Sequence, residues 1–199
     1  MIAVIDYKAG NLTSVMKALT ALGATAEITE DPAVVRVAER VVLPGVGHFA
    51  ATAHLRETGI EDAVRQVIAR RVPFLGICVG LQWLFEGSTE ATSLPGLGAM
   101  HGCCTRFPET RKVPHVGWNT LQPAPQSRLL AGLPAQTFVY YTHSYRAPVV
   151  EETVGVTDYA GLFSGAVERG NLFGVQFHPE KSGDAGLQVL RNFLAVPRC

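Results

Sequence analysis

The chain lacks the features that would place it in a membrane, on nucleic acid or in a secretory route. Apolar runs stay below the roughly 18 residues that a membrane-spanning helix needs. Lys and Arg together number 17, as do Asp and Glu, so no net charge favours nucleic acid or an anionic membrane surface. The opening segment Met1–Asp6 has no basic stretch typical of a secretion signal. We therefore expect a cytoplasmic protein.

Cysteine is scarce as well. The four cysteines are too few for a disulfide scaffold in a chain of 199 residues, and none forms the CxxC pair of a zinc site. The chain also lacks a GxxxxGK[ST] phosphate loop and a GxGxxG dinucleotide fingerprint after a strand. We expect no metal and no cofactor. One reactive thiol is left as the candidate for chemistry.

The chain has enough hydrophobic residues to form a core, because 47% of its residues are hydrophobic and 17% are charged. Its length fits one domain, residues 1–199. Hydrophobic patterning in the first half predicts strands at residues 2–6, 24–29, 40–43 and 73–77. Between them it predicts helices at 11–22, from the Asp31-Pro32 cap onward, and at 58–71. This alternation is typical of a parallel sheet covered by helices.

The second half has a different pattern. Its β-rich segments are short, are separated by Gly, Pro or Asn, and lie near residues 102–107, 116–121, 137–141, 154–159, 165–168 and 172–177. We expect antiparallel strands that extend the sheet, followed by a closing helix at 183–194. The predicted fold class is α/β, with a mixed, mostly parallel sheet flanked by helices.

A candidate nucleophile follows the fourth predicted strand. Gly76-Ile77-Cys78-Val79-Gly80 has the pattern Gly-x-Cys-x-Gly between a strand and a helical run, which resembles a nucleophile elbow. Glycines on both sides avoid clashes where the turn strains its central residue, and a helix N-terminus favours the thiolate. The pattern alone leaves open that Cys78 is only a small buried hydrophobic residue.

A candidate base lies near the other end of the chain. His178 and Glu180 flank Pro179, and side chains two residues apart in an extended segment point the same way. A carboxylate there can accept a hydrogen bond from one imidazole nitrogen and leave the other nitrogen for a thiol. A surface histidine beside a solvated glutamate is the alternative reading of this tripeptide taken alone.

Together these motifs resemble the triad, or class I, glutamine amidotransferases, and among them the glutaminase subunits of imidazole glycerol phosphate synthase in histidine biosynthesis. The matching segments are 6–12, 43–47, 76–82, 112–119, 141–145 and 176–182. The chain departs from the family pattern at Lys8, where many members have Gly, and at His48, where a small residue is usual. Val79 and Leu81 replace the commoner Leu and Met.

The resemblance implies a Cys-His-Glu triad. Cys78 attacks the glutamine carboxamide, His178 protonates the leaving ammonia and then activates water, and Glu180 orients the imidazole. The amides of Val46 and Val79 are the implied oxyanion donors. The implied substrate-binding residues are Gly47, Gln82, Glu90, Thr142, His143 and Ser144, where the family uses the backbone of His143. Judged alone, the Pro44–Gly47 segment could be an ordinary loop and Glu90 a solvated carboxylate.

The resemblance also implies a partner. Family members pass ammonia to a cyclase subunit with a (β/α)8 barrel in a heterodimer, where it reacts with a phosphorylated intermediate to give imidazole glycerol phosphate and aminoimidazole carboxamide ribonucleotide. Asn11, Trp118 and Lys181 are the interface candidates. Three alternatives stay open: the glutaminase of another synthase, a thiol hydrolase or redox protein with the same elbow, and an inactive regulatory module.

Overall fold

The computed structural model describes residues 1–10 and 12–197, so the interface prediction for Asn11 lies outside the described residues. The strands are β1 (Ile2–Ile5), β2 (Ala26–Thr29), β3 (Arg40–Gly45), β4 (Phe74–Cys78), β5 (Gly87–Ser88), β6 (Cys103–Arg106), β7 (His115–Pro123), β8 (Thr137–His143), β9 (Tyr145–Arg146), β10 (Thr153–Asp158), β11 (Leu162–Arg169) and β12 (Leu172–Val175). The α-helices are α1 (Leu12–Ala21), α2 (Pro32–Val37), α3 (Ala53–Glu57), α4 (Ile60–Ala69), α5 (Val79–Trp83) and α6 (Gly183–Ala195). Phe49–Thr52 and Pro179–Lys181 form 3-10 helices.

A nine-stranded mixed sheet forms the centre of the fold, in the order β2-β1-β3-β4-β12-β11-β10-β7-β8. The strands from β2 to β12 in this order pair in parallel, and those from β12 to β8 pair antiparallel. The predicted α/β class with a mixed sheet is confirmed. Four strand pairs in this sheet are parallel and four are antiparallel. The two halves join where β12, from the second half of the chain, lies beside β4.

Three details of the predicted elements are wrong. The segment near residues 102–107 does not extend the main sheet, because β6 pairs with β5 and β9 in a separate three-stranded sheet. Strand β3 continues two residues beyond Leu43, since β4 offers Ile77 and Cys78 as partners for Pro44 and Gly45. The helix expected from residue 58 begins at Ile60, and the short helix α3 precedes it.

Local signals explain the elements that were predicted correctly. Asp31 caps α2, because its side chain accepts a hydrogen bond from the Ala33 amide at 2.7 Å and Pro32 occupies the first helical position. The central strands β1, β4 and β12 are buried along their whole length, which is why their sequences are continuous apolar runs. Each such Val, Leu, Ile or Phe side chain contributes about 1.5–3 kcal/mol through burial.

The parallel half of the sheet sets the position of the candidate residues. Gly45 lies opposite Cys78 at the carboxyl ends of β3 and β4, and Val175 of β12 lies opposite Ile77. The segments that follow these strands therefore meet at one edge, where open α/β sheets bind ligands. Within the described parts of the chain, no helix is long and apolar enough to cross a membrane.

Candidate active site

The predicted strand-to-helix elbow is present at Cys78. Its backbone has φ 55° and ψ −107°, a conformation that residues with a Cβ rarely adopt, and α5 begins at the next residue. A Cβ on Gly80 would lie 2.0 Å from the Leu43 carbonyl oxygen, and one on Gly76 would lie 2.4 Å from the Gly80 carbonyl oxygen. Gly80 is therefore needed for α5 to pack against β3, and Gly76 is needed for α5 to pack against β4.

His178 and Glu180 meet at the end of β12. His178 Nδ1 and Glu180 Oε1 are 2.9 Å apart, and both side chains are almost completely buried. The extended conformation expected through this tripeptide is wrong, since Pro179–Lys181 forms a 3-10 helix capped by His178. The tighter turn still brings the carboxylate onto the imidazole. Glu180 can thus orient the ring and fix its tautomer.

The surroundings of His178 favour its protonated ring. Burial by itself lowers the pKa of His178, but the interactions with Cys78 and Glu180 outweigh it and raise the pKa to about 10. Cys78 raises the pKa of His178 through its contact with the ring and through charge, although Nε2 makes no hydrogen bond of normal geometry among the described residues. The arrangement suits an imidazolium between a thiolate and a carboxylate.

A cavity of about 190 Å³ opens beside Cys78. Its walls are Gly47, Cys78, Val79, Gln82, Glu90, Pro114, Thr142, His143, Ser144 and Tyr145. All the predicted substrate and oxyanion residues line it except Val46, which immediately precedes Gly47 in the chain. Pro114 and Tyr145 were not predicted as site residues, although both lie within segments that resemble the family.

The loop that carries Gly47 is anchored by the residues that follow it. Gly47 has φ 104°, which favours glycine although nothing would clash with a Cβ there. After it, His48 Nδ1 accepts a hydrogen bond from the Ala50 amide at 3.0 Å, and Glu90 Oε2 accepts one from the Phe49 amide at 2.7 Å. Glu90 therefore anchors the loop in addition to lining the cavity.

Lys8, the other departure from the family pattern, has a backbone explanation. Its φ is 67°, a conformation that glycine adopts without strain. The Lys8 backbone amide donates to Asp6 Oδ1 at 2.8 Å, and its ammonium group contacts Glu30. These contacts hold a residue with a Cβ in a position that suits glycine.

Two buried glutamines connect the cavity wall to the nucleophile. Gln82 Nε2 donates to the Tyr145 carbonyl at 2.9 Å and to Gln176 Oε1 at 3.2 Å. Gln176 Nε2 lies 3.6 Å from Cys78 Sγ. The sequence assigned no role to Gln176, which lies just after β12 and two residues before His178.

His143 lines the cavity but is unsuited to act as a base. It is buried, its Nδ1 lies 2.8 Å from the Tyr145 carbonyl oxygen, and burial lowers its pKa to about 3. A neutral ring engaged with the backbone agrees with the expectation that the cavity uses the main chain of this segment.

The described interface candidates lie together on the edge hairpin of β7 and β8 and beside it. Trp118 is 56% exposed and packs edge-to-face on Tyr140, with ring centroids 6.0 Å apart. Lys181 Nζ lies 5.9 Å from the centroid of the same Tyr140 ring. Val116 and Phe138 on the same hairpin are also exposed, so the edge presents an apolar surface next to the triad.

Comparisons with known proteins identify the family and the fold. The family model for class I glutamine amidotransferases matches residues 3–196. A protein of Moorella thermoacetica named imidazole glycerol phosphate synthase subunit HisH is 50% identical over 195 residues, which cover 96% of this chain and 93% of that protein. The protein of the same name from Salinibacter ruber is 46% identical over 208 residues, covering 99% and 95% of the two chains. A crystal structure of a glutamine amidotransferase, 21% identical, covers 98% of this chain and 97% of its own with a TM-score of 0.77, which shows the shared fold.

Proposed function

This chain belongs to the class I glutamine amidotransferases, and we propose that it is the glutaminase subunit of imidazole glycerol phosphate synthase in histidine biosynthesis. One observation carries the chemistry: Cys78 sits at a strained elbow, interacts with the paired His178 and Glu180, and faces a polar cavity. Close relatives that bear this subunit's name favour it over another synthase, a thiol hydrolase or an inactive module.

Each catalytic step has a residue suited to it. The Cys78 thiolate attacks the glutamine carboxamide carbon and forms a tetrahedral adduct. The His178 imidazolium, with its pKa raised to about 10, gives its proton to the leaving nitrogen, so the C–N bond breaks and ammonia departs. The neutral imidazole then takes a proton from a water molecule that attacks the thioester, which releases glutamate and restores the thiolate. Glu180 holds the ring in place throughout.

The adduct carries negative charge on oxygen, so preorganised donors are needed. The Val79 amide is one donor, because Val79 directly follows Cys78 at the start of α5. The Val46 amide is the second, since Val46 adjoins Gly47 in the cavity wall. Glu90 and His48, which fix the segment after Gly47, support this loop.

The glutamine head group binds at the opposite wall. Gln82 uses its amide hydrogens on Tyr145 and Gln176, which leaves its carbonyl Oε1 as the atom available to a ligand. The backbone of Thr142, His143 and Ser144 supplies further polar groups to the cavity. This wall recognises a small polar amino acid by hydrogen bonds.

The ammonia leaves through a partner subunit. We expect a cyclase with a (β/α)8 barrel to dock on the exposed β7–β8 edge, where Trp118, Val116 and Phe138 offer apolar surface and Lys181 offers charge. Docking there places the partner next to the triad, because Lys181 directly follows Glu180 in the chain.

A coupled assay tests this function. The chain is mixed with the cyclase, glutamine and the phosphorylated acceptor, and glutamate and imidazole glycerol phosphate are measured together. We expect both products in equal amounts, and neither from glutamine with Cys78→Ser. Ammonium salts should restore imidazole glycerol phosphate to the Cys78→Ser complex, because the cyclase then receives ammonia directly. Glutamate formation without the second product, under conditions where ammonium supports it, would reject the proposed pairing.

A further inference from the structure

We propose that Gln176 is a positioning residue for the nucleophile, locked with its amide N–H toward the Cys78 sulfur by a hydrogen-bond chain that begins at the Tyr145 carbonyl. The inference rests on the proposed nucleophilic role of Cys78. Gln176 is fully buried, and its Nε2 lies 3.6 Å from Cys78 Sγ. Which end of a glutamine amide faces a neighbour has to be deduced from its partners.

The hydrogen-bond partners of Gln82 and Gln176 allow only one orientation of the Gln176 amide. A backbone carbonyl can only accept, so the group of Gln82 that lies 2.9 Å from the Tyr145 oxygen must be its NH2. The second hydrogen of that NH2 points to Gln176, 3.2 Å away, and the Gln176 atom that receives it must be Oε1. The Gln176 NH2 group therefore faces Cys78.

The reverse orientation of Gln176 is costly. It would set two NH2 groups against each other and place a carbonyl oxygen against the thiolate. Gln82 is 2% exposed and Gln176 is 0% exposed, so water cannot take over the lost hydrogen bonds. The amide is held in the orientation that favours an anion on sulfur.

A second branch fixes the Tyr145 carbonyl itself. His143 Nδ1 also donates to this oxygen at 2.8 Å, so His143 Nε2 must accept from His115 Nδ1 at 3.1 Å. His115 Nε2 in turn lies 3.4 Å from the Asn119 amide nitrogen. Burial lowers the pKa of His115 to about 4 and that of His143 to about 3, so both rings are neutral and the direction of donation is fixed.

Two neighbours of the Cys78 sulfur therefore have opposite effects on its protonation. The Thr142 carbonyl oxygen lies 4.0 Å away and favours the protonated thiol, which can donate to it. The Gln176 N–H favours the thiolate, which can accept from it. Removing the donor while the carbonyl stays should therefore shift Cys78 toward the unreactive thiol.

The test uses alkylation, which needs no glutamine turnover. Gln176→Met keeps the length of the side chain and removes the donor. Iodoacetamide labelling of Cys78, followed by peptide mass spectrometry across pH, should show its midpoint raised by about one pH unit, which is about tenfold slower labelling below the midpoint. Gln188→Met is the matched control, because Gln188 pairs with Asn192 on α6. It should leave the curve unchanged.

Gln82→Met provides a second perturbation that adds no charge. Methionine has no hydrogen for Gln176 Oε1, so the Gln176 amide loses the bond that fixes its orientation, and the midpoint should rise as well. Thermal unfolding shows which variants are folded, and either folded variant suffices, because the two changes act on different links. Unchanged labelling curves would overturn the role of Gln176 and leave the proposed nucleophile standing. Wild-type Cys78 that reacts no faster than the exposed Cys103 would reject the proposed nucleophile and the inference with it.

Discussion

The backbone strain at the nucleophile gives a stability prediction with a definite sign. Cys78 holds φ 55° and ψ −107° in the elbow. A residue with a Cβ in such a sparsely populated region costs about 1–3 kcal/mol. Glycine relieves that cost, while its greater freedom in the unfolded chain costs about 0.4–1 kcal/mol. Cys78→Gly should therefore be more stable than Cys78→Ala by about 1 kcal/mol, near the middle of the range that the two effects leave.

Alanine is the matched reference for this comparison. Both variants lose the thiol and its interaction with His178, so the loss of that charge interaction cancels between them. They differ in the Cβ. At an unstrained position the order would reverse, because glycine would keep only its entropic disadvantage.

The assay is urea and thermal unfolding of the two variants of the free chain. A difference of 1 kcal/mol corresponds to about 2–4 °C in Tm for a protein of this size. The slope of the urea transition should be equal in both, which would show that the unfolded states expose the same surface. If Cys78→Ala is the more stable variant, the elbow stores no strain and this reasoning is wrong.

Three further predictions concern the triad, the buried histidines and the loop. Glu180→Gln should keep more glutaminase activity than His178→Ala, because the proton donor and the oxyanion donors remain; kcat/KM of the two variants in the complex checks the order, and the reverse order would give Glu180 another role. His115 and His143 have pKa values lowered to about 4 and about 3 in the folded chain. Below about pH 6.5 the unfolded chain therefore binds protons that the folded chain does not, and the free energy of unfolding should fall as pH drops from 6.5 to 4. Urea midpoints measured across this range check the slope, which His115→Phe should flatten; equal slopes would contradict the assignment. Third, the free chain should be a poor glutaminase, and the cyclase with its nucleotide ligand should activate it by about 10²–10³. This is the effect of one oxyanion donor, and it is expected if the Val46 amide becomes available only in the complex. Equal glutamine turnover by the free chain, the complex and the liganded complex would reject this switch.

Local patterns made much of the site predictable. The elbow at Cys78 was readable because its glycines satisfy steric demands set within a few residues and by the neighbouring strand. The His178–Glu180 pair was readable from its spacing, although the chain turns there in a 3-10 helix. The substrate wall came from the family resemblance, and most of it lines one cavity.

The remaining features depend on contacts between residues that are distant in the sequence, so local patterns do not predict them. The extension of β3 to Gly45 depends on the register of β4, which no pattern within β3 encodes. The role of Gln176 depends on Gln82 and on the Tyr145 carbonyl, which lie far apart in the sequence and meet only in the folded chain. The separate sheet of β6 likewise follows from its partners β5 and β9.

Covalent labelling by a glutamine-analogue electrophile such as 6-diazo-5-oxonorleucine identifies the nucleophile directly. The complex with the cyclase is treated, digested and examined by peptide mass spectrometry. We expect one adduct on Cys78, protection by glutamine, and no adduct on Cys103, Cys104 or Cys199. A glutamine-protected adduct on another cysteine, or none on Cys78 in an active complex, would contradict the assignment of Cys78 as the nucleophile.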